Sequence, residues 1–249
     1  MTPHCRAVLR LADTNLVLAQ RLGEWVGHAP ALEEDLGLAN VSLDLLGQAR
    51  LLFAHAGELE GRGRDEDALA YLREEGDYLN LTLVEQPNGD FADTIARQFL
   101  YDAWQHALYE GLAHSADATL AAIAAKGRAE SAYHLRYSSG WLERLGDGTP
   151  ESHARAASAL AKLWPFVNEL FADDEVDRAM SAARIAPLPS SLEQAWSARV
   201  DATLSAATLA RPASAPFGWY GKQGRHSEHL GYLLAEMQSL HRAHPGAAW

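Results

Sequence analysis

The sequence predicts an all-α protein, a helical bundle in one domain. Three observations carry that expectation. Alanine and leucine are abundant while runs of Val, Ile and Thr are nearly absent, a composition that favours helix over sheet. Apolar residues recur at alternating three- and four-residue steps along several long stretches, the period of one helix face. Gly, Pro and Asp clusters join those stretches through short links, as in a bundle. With 249 residues, 48 % of them hydrophobic, the chain can bury a sizeable core.

The first helix is predicted from Pro3, whose missing N–H costs little at a helix start, to Trp25. Its stripe reads Val8, Leu11, Asn15, Leu18, Leu22, so Asn15 interrupts an apolar face. Gly23, Gly27 and Pro30 then break the chain. The second helix, Ala31 to Leu59, puts Leu36, Ala39, Leu43, Leu46 and Phe53 on one side. Beside them runs a row of small and polar residues: Gly37, Asn40, Asp44, Gly47, Gln48. GRGRDED reads as a solvated turn, ALAYLRE as a short helix and VEQPNGD as a turn.

Asp90, with Asp93 three residues on, reads as the N-cap of a helix to about His114. Asp102 and His106 lie one turn apart beside its apolar stripe. The helix from Leu120 to Leu145 carries Leu120, Ile123, Gly127, Glu130, His134, Tyr137 and Trp141 on the face expected to be buried, with a carboxylate and an imidazole one turn apart. Helices over Ser152–Phe171, ending near the acidic ADDEVD, then Leu192–Leu209 and Ser227–His241 complete the set. A core bundle is expected over about 3–147, with C-terminal helices of about 151–242 packed on it.

A formal net charge of −12 repels phosphate backbones and anionic lipid, which excludes nucleic acid and membrane surfaces as partners. Cys5 is the only cysteine, so neither a disulfide framework nor a thiolate metal cluster can form within one chain. Arg6, Arg10 and Asp13 interrupt the N-terminal stretch before any adequate apolar run, and no segment approaches 18 uninterrupted apolar residues. No secretory leader and no membrane span are expected, and the location implied is cytoplasmic.

The helix positions of the acidic residues invite comparison with ferritin-like carboxylate bundles. Those build a di-iron site from one carboxylate on each of two helices and Glu-x-x-His on each of two others. Here Asn15 (or Asp13), Asp44, Asp102 and Glu130 stand in comparable places, but the histidines do not follow. Gly47 is three residues after Asp44, and Tyr133 three after Glu130. His134 falls at i+4, about 100° further round the helix. Two ferrous ions would lack ligands and charge balance. Glu130, His134, Asp102, His106 and Asp44 are expected instead to form an internal polar network, since buried charges must find partners. The expectation is a metal-oxygenase bundle with its metal site taken apart. An altered Glu130/His134/Asp102 oxygenase site stands as the alternative.

Other motifs are weaker. His226-x-x-His229 with Glu228 opens the last helix, a pair that caps a helix more often than it binds a metal. Gly221, Lys222, Gly224 and Arg225 could cradle a coenzyme's phosphates or contact a partner, though they match no P-loop or dinucleotide fingerprint. Trp25, Trp141, Trp164 and Trp196 read as core. No Gly-x-Ser-x-Gly, His-Glu-x-x-His or Cys–His pairing points to hydrolysis.

Five long stretches, LGEWVGHAPALEEDLGLANVSLDLLGQAR, VEQPNGDFADTIARQ, YHLRYSSGWLERLGDGT, LWPFVNELF and GRHSEHLGYLLAEMQ, resemble the C-subunit family of bacterial multicomponent phenylacetyl-CoA epoxidases, in step from about Leu9 to Trp249. The resemblance implies a ferritin-like fold and a role in aerobic phenylacetate breakdown. It implies a catalytic A subunit as partner, which holds the di-iron centre and inserts one atom of O2 into the aromatic ring with electrons from an NADPH-dependent reductase. This chain would be the structural subunit, not an enzyme on its own and without a cofactor of its own. The resemblance makes Asp44, Asp102 and Glu130 vestigial ligand positions, with His106 and His134 nearby and Gly47 and Tyr133 where histidines would be. It carries over no catalytic, cofactor-binding or metal residue. A homodimer and a contact with the reductase are further options. The face of the first two helices is expected to meet the partner, with Leu36 and Leu43 at its centre.

Overall fold

The computed structural model describes residues 1–213 and 220–247, and among them finds helices and no strand. The all-α expectation is met, and the long helical hairpins are those of a ferritin-like bundle. The chain divides into two compact units, Met1–Gln86 with Trp219–Trp249, and Pro87–Gly218.

In the first unit, α1 (Pro3–Gly23) and α2 (Leu32–Glu60) form a hairpin. Thr2 caps α1 by accepting the Cys5 amide at 3.2 Å. Every residue from Ala12 to Ala19 is buried. A helix covered all round lies inside its unit, so the polar Asp13, Thr14 and Asn15 must find partners there. The inward face of α2 is Leu38, Val41, Leu45, Gln48, Leu52 and Ala56. This corrects the expected stripe: of Leu36, Ala39, Leu43, Leu46 and Phe53, only Phe53 is buried, and Leu36 and Leu43 are 58 % and 64 % exposed. Leucine-rich sequence on both sides of α2 left the period without a unique phase. Gly61 ends α2 at φ 67°, a left-handed conformation that Gly adopts without steric cost. The short helix α3 (Glu66–Tyr71) follows, capped by Asp65, and then α4 (Thr82–Glu85), where a turn was expected.

The second unit opens with α5 (Phe91–Leu112), whose Asp90/Asp93 capping box is the expected one. It pairs with α6 (Ala118–Gly146). The helix expected over Ser152–Phe171 is interrupted: α7 (Pro150–Leu163) gives way to a 3-10 turn at Trp164–Phe166 before α8 (Val167–Phe171). Pro165 lacks an N–H, which explains the break. The acidic ADDEVD, expected only to end a helix, starts α9 (Glu175–Ala182) through an Asp174/Asp177 capping box. In α10 (Glu193–Ala206), Trp196 donates its indole N–H to the Leu100 carbonyl at 3.0 Å and tilts against Trp164, with ring centres 5.9 Å apart. Those two tryptophans are core, as expected, whereas Trp25 and Trp141 are half-buried.

The chain returns to the first unit with α11 (Glu228–Met237) and α12 (Ser239–Ala243), divided at Gln238 where one helix was expected. Part of the loop read between Leu209 and Ser227, residues 214–219, and the terminal Trp249 lie outside the described residues.

Candidate functional site

The polar residues buried in α1 are spoken for inside the first unit. Asp13 is fully buried and takes a bidentate pair of hydrogen bonds from the Arg73 guanidinium, plus the Leu79 amide at 2.8 Å. Burial raises its carboxyl pKa, and Arg73 and the Leu79 amide oppose that rise. The guanidinium also lies 4.3 Å from the Tyr78 ring centre. Asn15 donates its side-chain amide to Gln48 Oε1 at 3.1 Å. The α1 position where a ligand carboxylate was sought is thus an amide facing an amide. The α2 residue opposite it is Gln48; Asp44 and Gly47 are half-buried.

A second buried cluster holds the end of the chain in place. Glu85, wholly inaccessible, accepts from Asn80 Nδ2 at 2.9 Å, from the Ser227 amide at 2.8 Å and from Ser227 Oγ at 2.7 Å. His226 Nδ1 lies 2.6 Å from the same carboxylate, and its Nε2 is 2.8 Å from the Tyr78 carbonyl. Both ring nitrogens face acceptors, an arrangement that favours the doubly protonated ring. Burial lowers its pKa, but the Glu85 hydrogen bond and charge and the Tyr78 carbonyl outweigh that, and the net direction is up. The sequence offered His226 as a metal or capping residue. Its partner Glu85, in a stretch read as a turn, went unnoticed.

The same packing closes the loop considered as a phosphate cradle. The Gly221 amide donates to Thr82 Oγ1 at 3.0 Å, the Lys222 carbonyl accepts from Arg10 at 3.0 Å, and Lys222 is 5 % exposed. A Cβ added at Gly221 would collide with the Asn80 carbonyl. Arg225 alone of the four is exposed.

In the second unit the buried centre is Asp102 on α5. It accepts from Gln98 Nε2 and from Ser138 Oγ, each at 2.7 Å. Burial pushes its carboxyl up to about 6, resisted by the nearby His134 and by those two hydrogen bonds. The inward face of α6 is Leu120, Ile123, Gly127, Ser131, His134, Ser138 and Leu142. Glu130, Tyr137 and Trp141, expected there, are half-buried instead. Glu130 lies 3.9 Å from Lys126, Tyr133 is 42 % exposed, and His106 Nδ1 meets Ser131 Oγ at 3.1 Å. The expected network of charged residues is therefore in part a network of hydroxyls and amides. Ser131 and Ser138 went unnoticed because a serine amid small residues looks like any helix surface.

Taken unit by unit, this donor set does not fit a pair of irons. Asn15 faces Gln48, Asp102 is engaged by a hydroxyl and an amide, Glu130 leans toward an ammonium, and Gly47 and Tyr133 stand where imidazoles are needed.

The helical hairpins and their buried polar groups define an all-α, ferritin-like protein. More particularly, the chain belongs to the phenylacetic acid catabolic protein family, which it matches over residues 1–249. It is 56 % identical over 241 residues to the C subunit of 1,2-phenylacetyl-CoA epoxidase from Escherichia coli (strain K12), covering 97 % of each chain. The family expected from the five stretches is the one found. Among the described residues no helix is long and apolar enough to cross a membrane.

Proposed function

We propose that this chain is the non-catalytic C subunit of a phenylacetyl-CoA epoxidase and pairs with the catalytic di-iron A subunit in aerobic phenylacetate degradation. One observation carries the pairing. Leu32, Leu36, Leu43 and Leu46 follow one line along α2 and are 72, 58, 64 and 37 % exposed. Four leucines in a row facing water mark a protein interaction surface rather than a solvated helix face. The likeness to an epoxidase C subunit supplies the partner's identity, and the poor fit of the buried donor set supports the non-catalytic role. The one-domain reading belongs to the same proposal. The alternative, an oxygenase using Glu130, His134 and Asp102, loses ground because both Asp102 oxygens are already engaged, by Ser138 and Gln98.

Co-expression with the A subunit from the same source tests the proposal. The expected result is a stable complex on gel filtration that oxygenates phenylacetyl-CoA when supplied with the reductase components, and no turnover by this chain alone. Turnover by the chain alone, or failure to associate, overturns it.

A further inference from the structure

Beside the exposed leucines of α2 lies a groove of about 450 Å³ between α2 and α3. Its floor is Leu16, Ala49 and Phe53, and its mouth is framed by Leu43, Leu46 and Gly47 on one side and Tyr71 with Glu66 and Asp67 on the other. The groove is continuous with the leucine line, because Leu43 and Leu46 belong to both.

Gly47 is the unusual part. Glycine inside a helix costs stability relative to alanine, and it is normally explained by a neighbour that leaves no room for a Cβ. Here a Cβ added at Gly47 meets no atom within 4 Å. Among the described residues nothing fills the place of a side chain at Gly47, so the space over it is open to something outside.

Charge narrows the choice of what that is. Between Leu32 and Arg50 the helix carries Glu33, Glu34, Asp35 and Asp44, and Arg50 is its one base. Arg50 is engaged by Glu66 at 3.3 Å, leaving Asp67 exposed at the mouth. A second copy of this chain would set acid against acid across a self-complementary contact. A helix of apolar residues flanked by lysine or arginine would be matched in both respects.

We infer that the α2–α3 groove is the anchoring pocket of the interface with the A subunit: one of that partner's helices passes closely over Gly47, buries an apolar side chain on Leu16, Ala49 and Phe53, and sets a basic residue beside Asp67. This rests on the proposed pairing and locates its tightest point. A buried anchor with such close packing is where binding energy concentrates.

The test uses the full chain and the purified A subunit, with affinity read by titration calorimetry and folding by thermal melting. Gly47→Ala should melt no lower than the unmodified chain, since an added Cβ meets no described atom within 4 Å, and Gly47→Leu, which extends into the groove, should stay folded. Gly47→Leu should bind the A subunit at least tenfold more weakly, and Gly47→Ala less so. Asp67→Lys should weaken binding at low salt, with the loss shrinking at high salt. Unchanged affinity of Gly47→Leu while the unmodified chain binds overturns the groove and leaves the pairing standing. No binding by the unmodified chain overturns both. A homodimer of the chain alone that Gly47→Leu dissociates overturns the assigned occupant in favour of a second copy.

Discussion

His226 Nδ1 lies 2.6 Å from Glu85 Oε1, and the two side chains are 1 % and 0 % exposed. This ion pair joins the segment before α11 to the one that ends α4. Gln238 and Arg242 add further links from the chain's end to Arg73, Glu74 and Tyr78.

The ion pair's pH dependence has a definite sign. The folded-state pKa of His226 is raised above the ordinary value, so the imidazolium's contribution is fully present below about pH 6.5 and is lost as pH rises through the raised value. Urea midpoints should therefore fall as pH rises above about 6.5. His226→Gln should be less stable at pH 6 and should flatten that fall. A variant that keeps the full slope would show that another group sets it.

The Asp13–Arg73 pair is buried on both sides, at 0 % and 2 % side-chain exposure. Removing one partner strands the other's charge in the core, so Arg73→Ala should cost about 3–5 kcal/mol. The pair itself is worth much less than that figure. Asp13→Leu with Arg73→Met should recover a large part of the loss, and chemical denaturation of both single variants and the double closes the cycle. Equal losses for the single and double variants would mean that packing, not stranded charge, sets the cost.

Asp102 behaves oppositely to a surface carboxylate. Its pKa is raised to about 6, so the folded state holds a proton that the unfolded state has released. Stability should fall as pH climbs from about 4 to 6 and then level off, by roughly 3 kcal/mol at most from this group. Asp102→Asn keeps the shape and removes the charge. It should stabilise the chain, and by more at pH 8 than at pH 5, as read from melting curves at the two pH values. A stabilisation independent of pH would sink this account.

The helices were legible because they are long and capped by local rules: Asp90 with Asp93 announced α5, and Pro3 announced α1. What the sequence hid was phase. On α2 the leucines at 36, 43 and 46 look as internal as those at 38, 45 and 52, and only packing against α1 decides between them. The same one-position ambiguity put Glu130 on the inner face of α6 in place of Ser131. Partners distant in sequence, such as Glu85 for His226 and Arg73 for Asp13, leave no periodic signal at all.

Phase also gives the interface its sharpest test. Leu36 and Leu43 face water, at 58 % and 64 % exposure, so Leu36→Glu and Leu43→Glu should leave the helical signal and melting temperature near those of the unmodified chain. Each should abolish co-purification with the A subunit, since a charge at the centre of an apolar contact must be desolvated without a partner. Leu38→Glu and Leu45→Glu, on the buried face, should instead unfold the first unit. Retained binding by folded Leu36→Glu and Leu43→Glu would move the interface off α2.

The last prediction concerns iron, measured on the chain expressed alone after anaerobic reconstitution with Fe(II). A di-iron centre requires several anionic ligands to balance two dications. On α1, Asn15 is bonded to Gln48 and supplies no charge, and Asp13 is already paired with Arg73; on α2, Asp44 is half-buried. On α5 the carboxyl of Asp102 is held near pKa 6 and engaged by Ser138 and Gln98. On α6 the candidate Glu130 turns toward Lys126. Iron bound by the folded, helical chain should therefore be far below one equivalent, and Glu130→Ala should not change it. Close to two irons per chain, lost on Glu130→Ala, would mean that this carboxylate swings inward to bind metal, and the oxygenase reading would replace the scaffold.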